Sequence, residues 1–374
     1  MYKNQPRYGL LCYNAINIGD EVQSIAASRF LPRIDEYIYR DLISHFKPKK
    51  RIKTKTILNA WWMAQPECFP PSYWIEPLLI SMHFDKNIRK EVLTEKTKEY
   101  FINHGPVGCR DLSTRNWLLE NDIPAYFSGC ITLTLQKNPE IPRGDYILCL
   151  DVEKKVVDEI KKLTDRPIYC ISRKILNFYS FQERFKIAKM ILRMYHNAAL
   201  NVTSALHCML PSLAFETPVL RIIRNDKMEG TGPRYEGYED FFNSVCLDNN
   251  DYSQLQKYNF NNPIPNPTKY LELRNSLIRK ASEFSGFDNQ NSLIENKDYT
   301  LDFLQMSIYN HAKLRRAAFA FSKNTVKEIY KKIKQGHKRF EFMGNELFEQ
   351  PKKIDKILYK LKLLKCLIEY KLNT

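Results

Sequence analysis

Short apolar runs alternate with amphipathic stretches along most of the chain, and this alternation constrains the fold more than any other feature of the sequence. An apolar run of four to eight residues predicts a buried strand, whereas apolar residues at helical spacing predict a helix. The predicted strands are 7–13, 56–61, 77–83, 125–128, 144–152, 168–171, 200–204 and 218–223, and the main predicted helices are 112–120, 182–195 and 206–215.

Strand and helix follow one another in two blocks, with a break near 138–144 ("NPEIPRG"). Strand–helix alternation favours parallel sheets covered on both faces. We therefore predict an α/β protein in which two Rossmann-like domains face a cleft in a GT-B-like arrangement. The predicted units are an N-terminal domain at 1–140, a C-terminal domain at 141–290 and a basic helical tail at 291–374. Ligands of such sheets bind at the carboxyl ends of strands, so the functional residues are sought in strand-to-helix turns.

Length and composition exclude several classes of protein. A chain of 374 residues with 44% hydrophobic and 27% charged residues suits two globular domains. Nine cysteines without a CxxC pair argue against a disulfide framework or a zinc ribbon, and favour a reducing compartment. The N-terminal apolar run is too short for a signal peptide, and no stretch approaches the ~20 apolar residues of a membrane span. We predict a cytoplasmic protein.

The positive charge is concentrated at the end of the chain. The formal net charge is +16, and residues 301–374 hold 17 Lys/Arg against 7 Asp/Glu. This tail lacks a recognised nucleic-acid motif, so no nucleic-acid partner is expected. Apolar residues between 354 and 368 follow helical spacing among lysines. Such a basic amphipathic helix suits peripheral contact of 350–371 with an anionic inner-membrane surface; packing on its own domain is the alternative.

The first turn of interest is "NIGDE", residues 17–21. Gly19 permits a close backbone approach, and Asp20 is expected to cap the helix that follows. The turn is not a GxGxxG motif, so a nicotinamide cofactor is not indicated.

A second turn lies in "GPVGCRDLSTRNWLLE", residues 105–120. Arg110 follows a short apolar run, and Asp111 and Ser113 stand at a helix start. The planar guanidinium of an arginine can grip a carboxylate or a phosphate there. The competing interpretation is that Arg110 and Asp111 only satisfy local backbone groups.

Two further turns carry basic residues. In "TSALHCMLPS", residues 203–212, Thr203 and Ser204 are expected to cap a helix whose first turn holds His207. Free N–H groups at a helix start favour an anion, and a histidine there can shuttle a proton near neutral pH. The Gly-rich segment "GTGPRYEGYEDFF", residues 230–242, carries Arg234.

Taken together, these segments resemble the polysaccharide pyruvyl transferase family, which places a pyruvate ketal on a sugar. The resemblance covers most of residues 8–245 and leaves out the last 75 or so. The segments that carry it, in order, are "NIGDEVQSIAASRFLP", "NAWW", "PPSYWIEPLLISMHF", "GPVGCRDLSTRNWLLENDIPAYFSGCITLTL", "TSALHCMLPSLAFETPVL" and "RYEGYEDFF".

The resemblance implies a transferase that uses phosphoenolpyruvate as donor substrate, without metal or cofactor. It also implies a sugar or lipid-linked oligosaccharide as acceptor, for a capsular polysaccharide or exopolysaccharide. The first domain would bind the acceptor and the second the donor. The residues expected to serve are His207, Asp20 and Asp111 in catalysis, Arg110, Ser204, His207 and Arg234 in donor binding, and Gly19, Glu21 and His83 in acceptor binding.

Two positions depart from the family's pattern. Ala205 stands in "SALH" where the family usually has an arginine that holds the donor. Three explanations are open: another cation such as Arg221, Arg224 or Arg234 substitutes, the donor is a nucleotide sugar, or the change is peculiar to this chain. Glu216 stands where the family often has glycine, and a glutamate at a comparable place can bind ribose in GT-B glycosyltransferases. A glycosyltransferase is therefore the second reading, and a non-catalytic sugar-binding or scaffold protein the third.

Overall fold

The computed structural model describes residues 5–175 and 179–297, and in this part the strands pair only in parallel. The predicted mixed α/β class with parallel sheets is confirmed. The strands are β1 Arg7–Cys12, β2 Glu36–Tyr39, β3 Thr54–Ile57, β4 Trp61–Trp62, β5 Ile75–Leu78, β6 His83–Phe84, β7 Val107–Cys109, β8 Ala125–Phe127, β9 Ile147–Leu150, β10 Ile168–Ile171, β11 Leu200–Thr203, β12 Val219–Ile223 and β13 Asn243–Cys246.

The first sheet has the strand order β2-β1-β3-β5. It is continued by two short ladders, β4 with β6 and β7 with β8. Backbone bonds join these pieces: the amide of Gly108 donates to the carbonyl of Leu79 (2.9 Å), and the amide of Met82 donates to the carbonyl of Gly108 (3.0 Å). The predicted strands 56–61 and 77–83 are therefore each divided in two by a break in the regular pairing.

The second sheet has five strands in the order β10-β9-β11-β12-β13. Its central strands β9 and β11 are buried along their whole length, as expected of parallel strands covered on both faces. Strands β2 and β13 lie at sheet edges and were not predicted from the sequence.

Nine α-helices are described in 5–175 and 179–297. They are α1 Gly19–Ser28, α2 Arg89–Val92, α3 Glu95–His104, α4 Leu112–Leu119, α5 Lys154–Lys161, α6 Phe181–Asn197, α7 Leu206–Ala214, α8 Ser253–Gln256 and α9 Leu271–Ser285. Helix α6 begins with a capping box, in which the Ser180 side chain accepts from the Glu183 amide and Glu183 accepts from the Ser180 amide. Two orphan amides of the first turn are satisfied in this way, which explains the sharp start of the helix.

Helix α1 is the element that joins the two sheets. It follows β1, yet it packs against α6 and α7 of the second half as well as against the short 3-10 turn Ile131–Thr134. Nine of its ten residues are buried. Helix α9 also returns to the first half, where the Ser285 carbonyl accepts from the Tyr8 hydroxyl (3.0 Å). One large apolar cluster therefore contains side chains from both halves.

No helix within 5–175 and 179–297 is long and apolar enough to cross a membrane. The cysteines of this part are free thiols. Of the predicted basic tail 291–374, only 291–297 belong to the described residues. The predicted amphipathic helix and its membrane contact at 350–371 lie outside them.

Candidate functional site

The carboxyl ends of the two sheets meet at one place. The amide of Ile18, after β1, donates to the carbonyl of Arg173, after β10 (3.0 Å), and the amide of Ile175 donates to the carbonyl of Ile16 (2.8 Å). Ligands of parallel sheets bind beyond the carboxyl ends of strands. This junction is therefore where a site built by both halves is expected, and the predicted basic residues gather around it.

Arg110 is the most unusual residue at the junction. It is fully buried, yet none of its three guanidinium nitrogens has a hydrogen-bond partner among the described residues. The nearest carboxylate oxygen, Oδ2 of Asp111, lies 4.0 Å from Nε. The backbone is held on both sides, because the Arg110 amide donates to the Met82 carbonyl (2.7 Å) and its carbonyl accepts from the Tyr238 hydroxyl (2.5 Å). A buried cation without hydrogen-bond partners is costly, so Arg110 is a candidate anion-binding residue, as predicted, and that role stays a prediction.

His207 lies in the first turn of α7, as predicted, and is 8% exposed. Burial and the positive charges of Arg110, Arg234 and Arg173 together hold its pKa well below the ordinary value. Its Nε2 atom is 3.8 Å from the thiol sulfur of Cys130. The side chains of His207, Arg110 and Arg234 thus lie close enough for their charges to interact, although their chemical roles stay predictions.

Gly19 is in contact with His207 rather than being merely a flexible turn residue. A Cβ atom at this position would lie 2.8 Å from Nδ1 of His207 and 3.0 Å from Oδ1 of Asn17. The Gly19 amide donates to that same Asn17 oxygen (3.0 Å). Glycine is therefore required because the start of α1 comes against the imidazole ring.

Arg234 lies on a strap, residues 230–242, that is bonded to both halves of the molecule. The Tyr235 hydroxyl donates to the Ser204 carbonyl (2.6 Å), and the Glu236 carbonyl accepts from the Leu112 amide (3.0 Å). Burial and the charge of Arg110 lower the pKa of the Arg234 guanidinium, and its Nε has no partner among the described residues. Arg234 therefore adds a second cation beside Arg110.

His83 and Asp111 form a buried pair. Nδ1 of His83 is 2.5 Å from Oδ2 of Asp111, and the other Asp111 oxygen accepts from the Thr114 amide (2.9 Å) as the N-cap of α4. Burial first and Arg110 second lower the pKa of His83 to about 4, against the attraction of Asp111. Burial acts to raise the pKa of Asp111, but His83 and Arg110 hold it below its usual value. The pair is therefore a neutral imidazole that donates Nδ1–H to a carboxylate, which leaves Nε2 as an acceptor.

Asp20 does not cap α1, so that expectation is wrong. Helix α1 begins at Gly19 after Ile18, which offers no side-chain cap. Oδ2 of Asp20 instead pairs with Nη1 of Arg40 (3.3 Å). The cause is the register of the turn, which places Asp20 inside the first helical turn, where its side chain reaches a neighbouring cation.

Glu21 is completely buried and spans the two halves. Its Oε1 accepts from Nε of Arg184 on α6 at 2.5 Å. Burial raises the pKa of Glu21 to about 7, although Arg184 acts to lower it. The predicted acceptor role of Glu21 stays a prediction, and the ion pair gives this residue a structural role at the α1–α6 contact.

The start of α7 differs from the expected cap. The N-cap residue is Ala205, not Thr203 or Ser204, and it makes no side-chain cap. The Thr203 hydroxyl accepts from the Ala205 amide (2.9 Å) and donates to the Leu150 carbonyl (3.0 Å), so it ties β11 to β9 instead. Ser204, expected to bind the donor, is partly exposed, and its carbonyl holds the strap through Tyr235.

Two of the cations proposed to replace the missing arginine have other partners. Arg221 donates through Nε to the Gly230 carbonyl (3.1 Å) and lies over the Tyr235 ring. Arg224 pairs with Glu153 and with Asp226. Arg234 is the one of the three that shares the neighbourhood of His207 and Arg110.

Arg173 belongs to the cluster, and our sequence analysis missed it. It stands two residues after β10, its Nε is 3.1 Å from Oδ2 of Asp151, and its charge lowers the pKa of both His207 and Arg234. The signal was available, because "ISRK" places an arginine directly after a predicted strand. Ala205 therefore need not leave the site one cation short.

Glu216 does not lie where a donor ribose would be bound. It follows α7 and precedes β12, and thus stands at the amino end of a strand, on the opposite edge of the sheet from the ligand-binding ends. Its carboxylate pairs with Lys137 (2.7 Å) at the surface. The argument for a nucleotide sugar drawn from Glu216 is therefore wrong.

Parallel sheets with a buried arginine that lacks hydrogen-bond partners, close to the carboxyl ends of their strands, define an α/β protein with a cluster of cations at the junction of its two halves. Among the described residues, no group of three or more His, Cys, Asp and Glu side chains is arranged to hold a metal ion.

Residues 69–226 match the family model described as polysaccharide pyruvyl transferase, and the chain thus carries a polysaccharide pyruvyl transferase domain. The matched domain identifies the chain as a transferase enzyme. The match contains His83, Arg110, Asp111, Ser204 and His207, whereas Arg234 lies beyond it. Gly19, Asp20 and Glu21 precede it, so the matched range is shorter than the 8–245 recognised from the sequence. No curated protein gives a significant match to the chain.

Proposed function

We propose that the chain transfers a pyruvyl group from phosphoenolpyruvate to two hydroxyls of one sugar in a cell-surface polysaccharide precursor. The observation that carries this proposal is the buried guanidinium of Arg110 without a partner, set beside Arg234, Arg173 and His207. Phosphoenolpyruvate carries a phosphate ester and a carboxylate on the same carbon. Two guanidinium groups in one cleft suit both anions, because the planar fork of arginine binds either of them through two N–H groups.

In the proposed reaction, a proton is added to the methylene carbon, and the carbon that bears the phosphate becomes electrophilic. One sugar hydroxyl attacks that carbon and forms the first C–O bond. The second hydroxyl forms the second C–O bond as the bond to phosphate oxygen breaks. One of the two hydroxyl protons is balanced by the new methyl group and the other leaves with phosphate, so no oxidant or metal is required.

His207 is the proposed acid. In the protein alone, burial and the surrounding cations hold the pKa of His207 low and keep its imidazole neutral. A bound anion opposes the field of these cations and therefore raises the pKa of the imidazole. Donor binding thus supplies the proton affinity that the acid needs, and the acid is charged only when its substrate is present.

In this proposal the two halves of the molecule bind different substrates. The donor lies against the second half, where His207 and Arg173 follow strands β11 and β10, and the acceptor lies against the first half, where His83 begins β6. This is the two-domain, GT-B-like arrangement that the strand order suggests, with Arg110 and the strap between the halves. The acceptor belongs to a capsular polysaccharide or exopolysaccharide, and the enzyme acts in the cytoplasm, at the membrane where a lipid-linked acceptor is held.

The test is thermal unfolding in the presence of candidate donors. Phosphoenolpyruvate should raise the melting temperature of the wild-type protein, because a ligand that binds the folded state stabilises it. The shift should disappear in Arg110→Met and persist in Arg115→Met, a control in the helix that follows Arg110, whose side chain donates to Oδ1 of Asn116. Stabilisation by a nucleotide sugar and not by phosphoenolpyruvate would overturn the proposal.

One observation favours a glycosyltransferase as the second candidate. Asp151, Glu153, Ser204 and Glu229 line a pocket at the carboxyl ends of β9, β11 and β12, where carboxylates could accept hydrogen bonds from ribose hydroxyls. The cavity volume of this pocket is about 10 Å³, far below the usual ~300–1,000 Å³ of ligand sites. Its acidic lining also disfavours a diphosphate. The pyruvyl transferase is therefore preferred.

A further inference from the structure

Trp61 and His83 are direct neighbours across the short ladder of β4 and β6. Paired residues of a parallel ladder place their side chains on the same face, and the next pair lies on the opposite face. The next pair, Trp62 and Phe84, is fully buried with its rings stacked at 6.3 Å in the apolar core. Trp61 and His83 therefore face away from that core, on the side where Asp111 and Arg110 lie.

Trp61 is half-buried, and its indole ring is supported from within the protein. The guanidinium of Arg40 lies over the ring (5.2 Å to the centroid) and also over the ring of Tyr13 (5.0 Å). Arg40 is itself held by Asp20 (3.3 Å) and Asp41 (2.9 Å). Because both carboxylates compensate its charge, Arg40 serves as a rigid support for the indole rather than as an anion-binding group.

His83 supplies a proton acceptor beside this ring. Its Nδ1–H is engaged by Asp111 at 2.5 Å, and Asp111 is fixed in turn by the Thr114 amide. The ring orientation is therefore determined, and the lone pair of Nε2 is left for another donor. A carboxylate that orients an imidazole in this way also stabilises the imidazolium that forms when Nε2 takes a proton.

We infer that Trp61 and His83 form the acceptor subsite, in which the apolar C–H face of a hexopyranose packs on the Trp61 indole and one sugar hydroxyl donates to Nε2 of His83. The inference rests on the proposed function and adds the binding mode of the sugar. A pyranose ring has one face rich in C–H groups, and an aromatic ring offers a large flat area to cover it. An indole beside a hydrogen-bond acceptor suits an amphipathic ligand of this kind.

The same geometry assigns a catalytic role to His83. As the first sugar oxygen bonds to the electrophilic carbon of the donor, its O–H bond breaks and the proton moves to Nε2. The proton then leaves with the departing phosphate, which returns His83 to its neutral form. Asp111 is a positioning residue in this step, because it acts on the sugar only through the imidazole.

Fluorine NMR on protein labelled with 5-fluorotryptophan tests the contact directly. Methyl hexopyranosides, titrated in the presence of phosphoenolpyruvate, should shift the Trp61 resonance and leave that of Trp74 unchanged. Trp74 is a matched reference: it is also half-buried and lies beside an aromatic ring, Tyr73 (5.8 Å), but it precedes β5 and stands at the opposite edge of the sheet. A Trp61 signal that does not respond to any methyl hexopyranoside, or that moves only together with Trp74, overturns the inference.

Kinetics separate the two residues. Trp61→Leu should raise the KM for the acceptor about tenfold or more and leave the thermal shift by phosphoenolpyruvate unchanged, whereas Trp74→Leu should change neither. His83→Gln should lower kcat about 10²-fold, with the Trp61 response to hexopyranosides retained. If Trp61→Leu and Trp74→Leu have the same KM for the acceptor, Trp61 does not belong to an acceptor subsite.

The outcomes also distinguish the subsite from the proposed function. A shift of the Trp61 signal without stabilisation by phosphoenolpyruvate would refute the donor and leave the sugar subsite standing. Stabilisation by phosphoenolpyruvate with an unresponsive Trp61 would refute the subsite alone.

Discussion

Arg110→Met should make the ligand-free protein more stable while it removes donor binding. The guanidinium is fully buried, with three nitrogens that have no partner among the described residues. Its charge also lies close enough to Arg234 and His207 to lower their pKa values. Methionine keeps most of the apolar stem and removes both the unsatisfied donors and the repulsion.

The magnitude follows from the count of unsatisfied groups. A buried polar group without a partner costs about 1–3 kcal/mol, and more if it is charged. Loss of the 4.0 Å approach to Asp111 offsets part of the gain, although Asp111 keeps its bonds to His83 and Thr114. We expect a net gain of about 2–3 kcal/mol in the free energy of unfolding, or roughly 3 °C in melting temperature for a protein of this size.

The assay is differential scanning fluorimetry, supported by urea unfolding, with and without phosphoenolpyruvate. Wild-type protein should gain about 2.7 kcal/mol at a donor concentration of ~100 Kd, and Arg110→Met should gain almost nothing. The control Arg115→Met should stay within about 0.5 kcal/mol of wild type. A lower melting temperature for Arg110→Met, together with an undiminished donor shift, would refute the view of Arg110 as an anion site that is costly until it is filled.

Three further outcomes are expected. His207→Gln should lower kcat for pyruvyl transfer by about 10²-fold with unfolding little changed; near-normal turnover on phosphoenolpyruvate would exclude it as the acid. Gly19→Ala should mimic that loss in a folded protein, because the new Cβ would lie 2.8 Å from Nδ1 of His207; full activity would show that the ring can move without cost. His83 binds a proton below its ordinary pKa of 6.5 in the unfolded chain, but only below about 4 in the folded protein. The free energy of unfolding of wild type should therefore fall relative to that of His83→Gln as the pH falls from about 6.5 to about 4. Above this window the two proteins should show the same dependence of stability on pH. A pH-independent difference between the two urea-unfolding curves would contradict the neutral imidazole.

The regular elements could be predicted because each strand and helix carries its own local pattern. Strand β10, predicted at 168–171, is observed at Ile168–Ile171, and helix α6 exceeds its predicted range by one or two residues at each end. The edge strands β2 and β13 escaped prediction because each is only four residues long and begins with a polar residue, so neither forms a clear apolar run. The divided strands around 58–60 and 79–82 are equally invisible in a continuous apolar run.

Several residues of the candidate site could be predicted from the sequence, but the hydrogen bonds and ion pairs that they form could not. Turns that follow strands pointed to Arg110, Asp111 and His207, because the carboxyl ends of parallel strands lie at one edge. The pairing of carboxylates with cations depends on packing between segments that are distant in the sequence. No local sequence pattern therefore predicts these ion pairs. The ion pair of Glu21 with Arg184 on another helix is of this kind. The same holds for Asp20, which bonds to Arg40 rather than to the helix start.

The strap 230–242 makes the site depend on the closure of the whole molecule. Through Tyr235 it is bonded to Ser204 of the second half, and through Tyr238 to Arg110 of the first. The strap belongs to the second half, so separation of the halves would keep the bond to Ser204, break the bond from Tyr238 to Arg110 and withdraw Arg234 from Arg110. Repulsion between the two guanidinium groups disfavours the closed arrangement of the two halves, and an anion bound between these groups stabilises it. Amide hydrogen exchange at the junction should accordingly slow on donor binding in both halves together, not in one half alone.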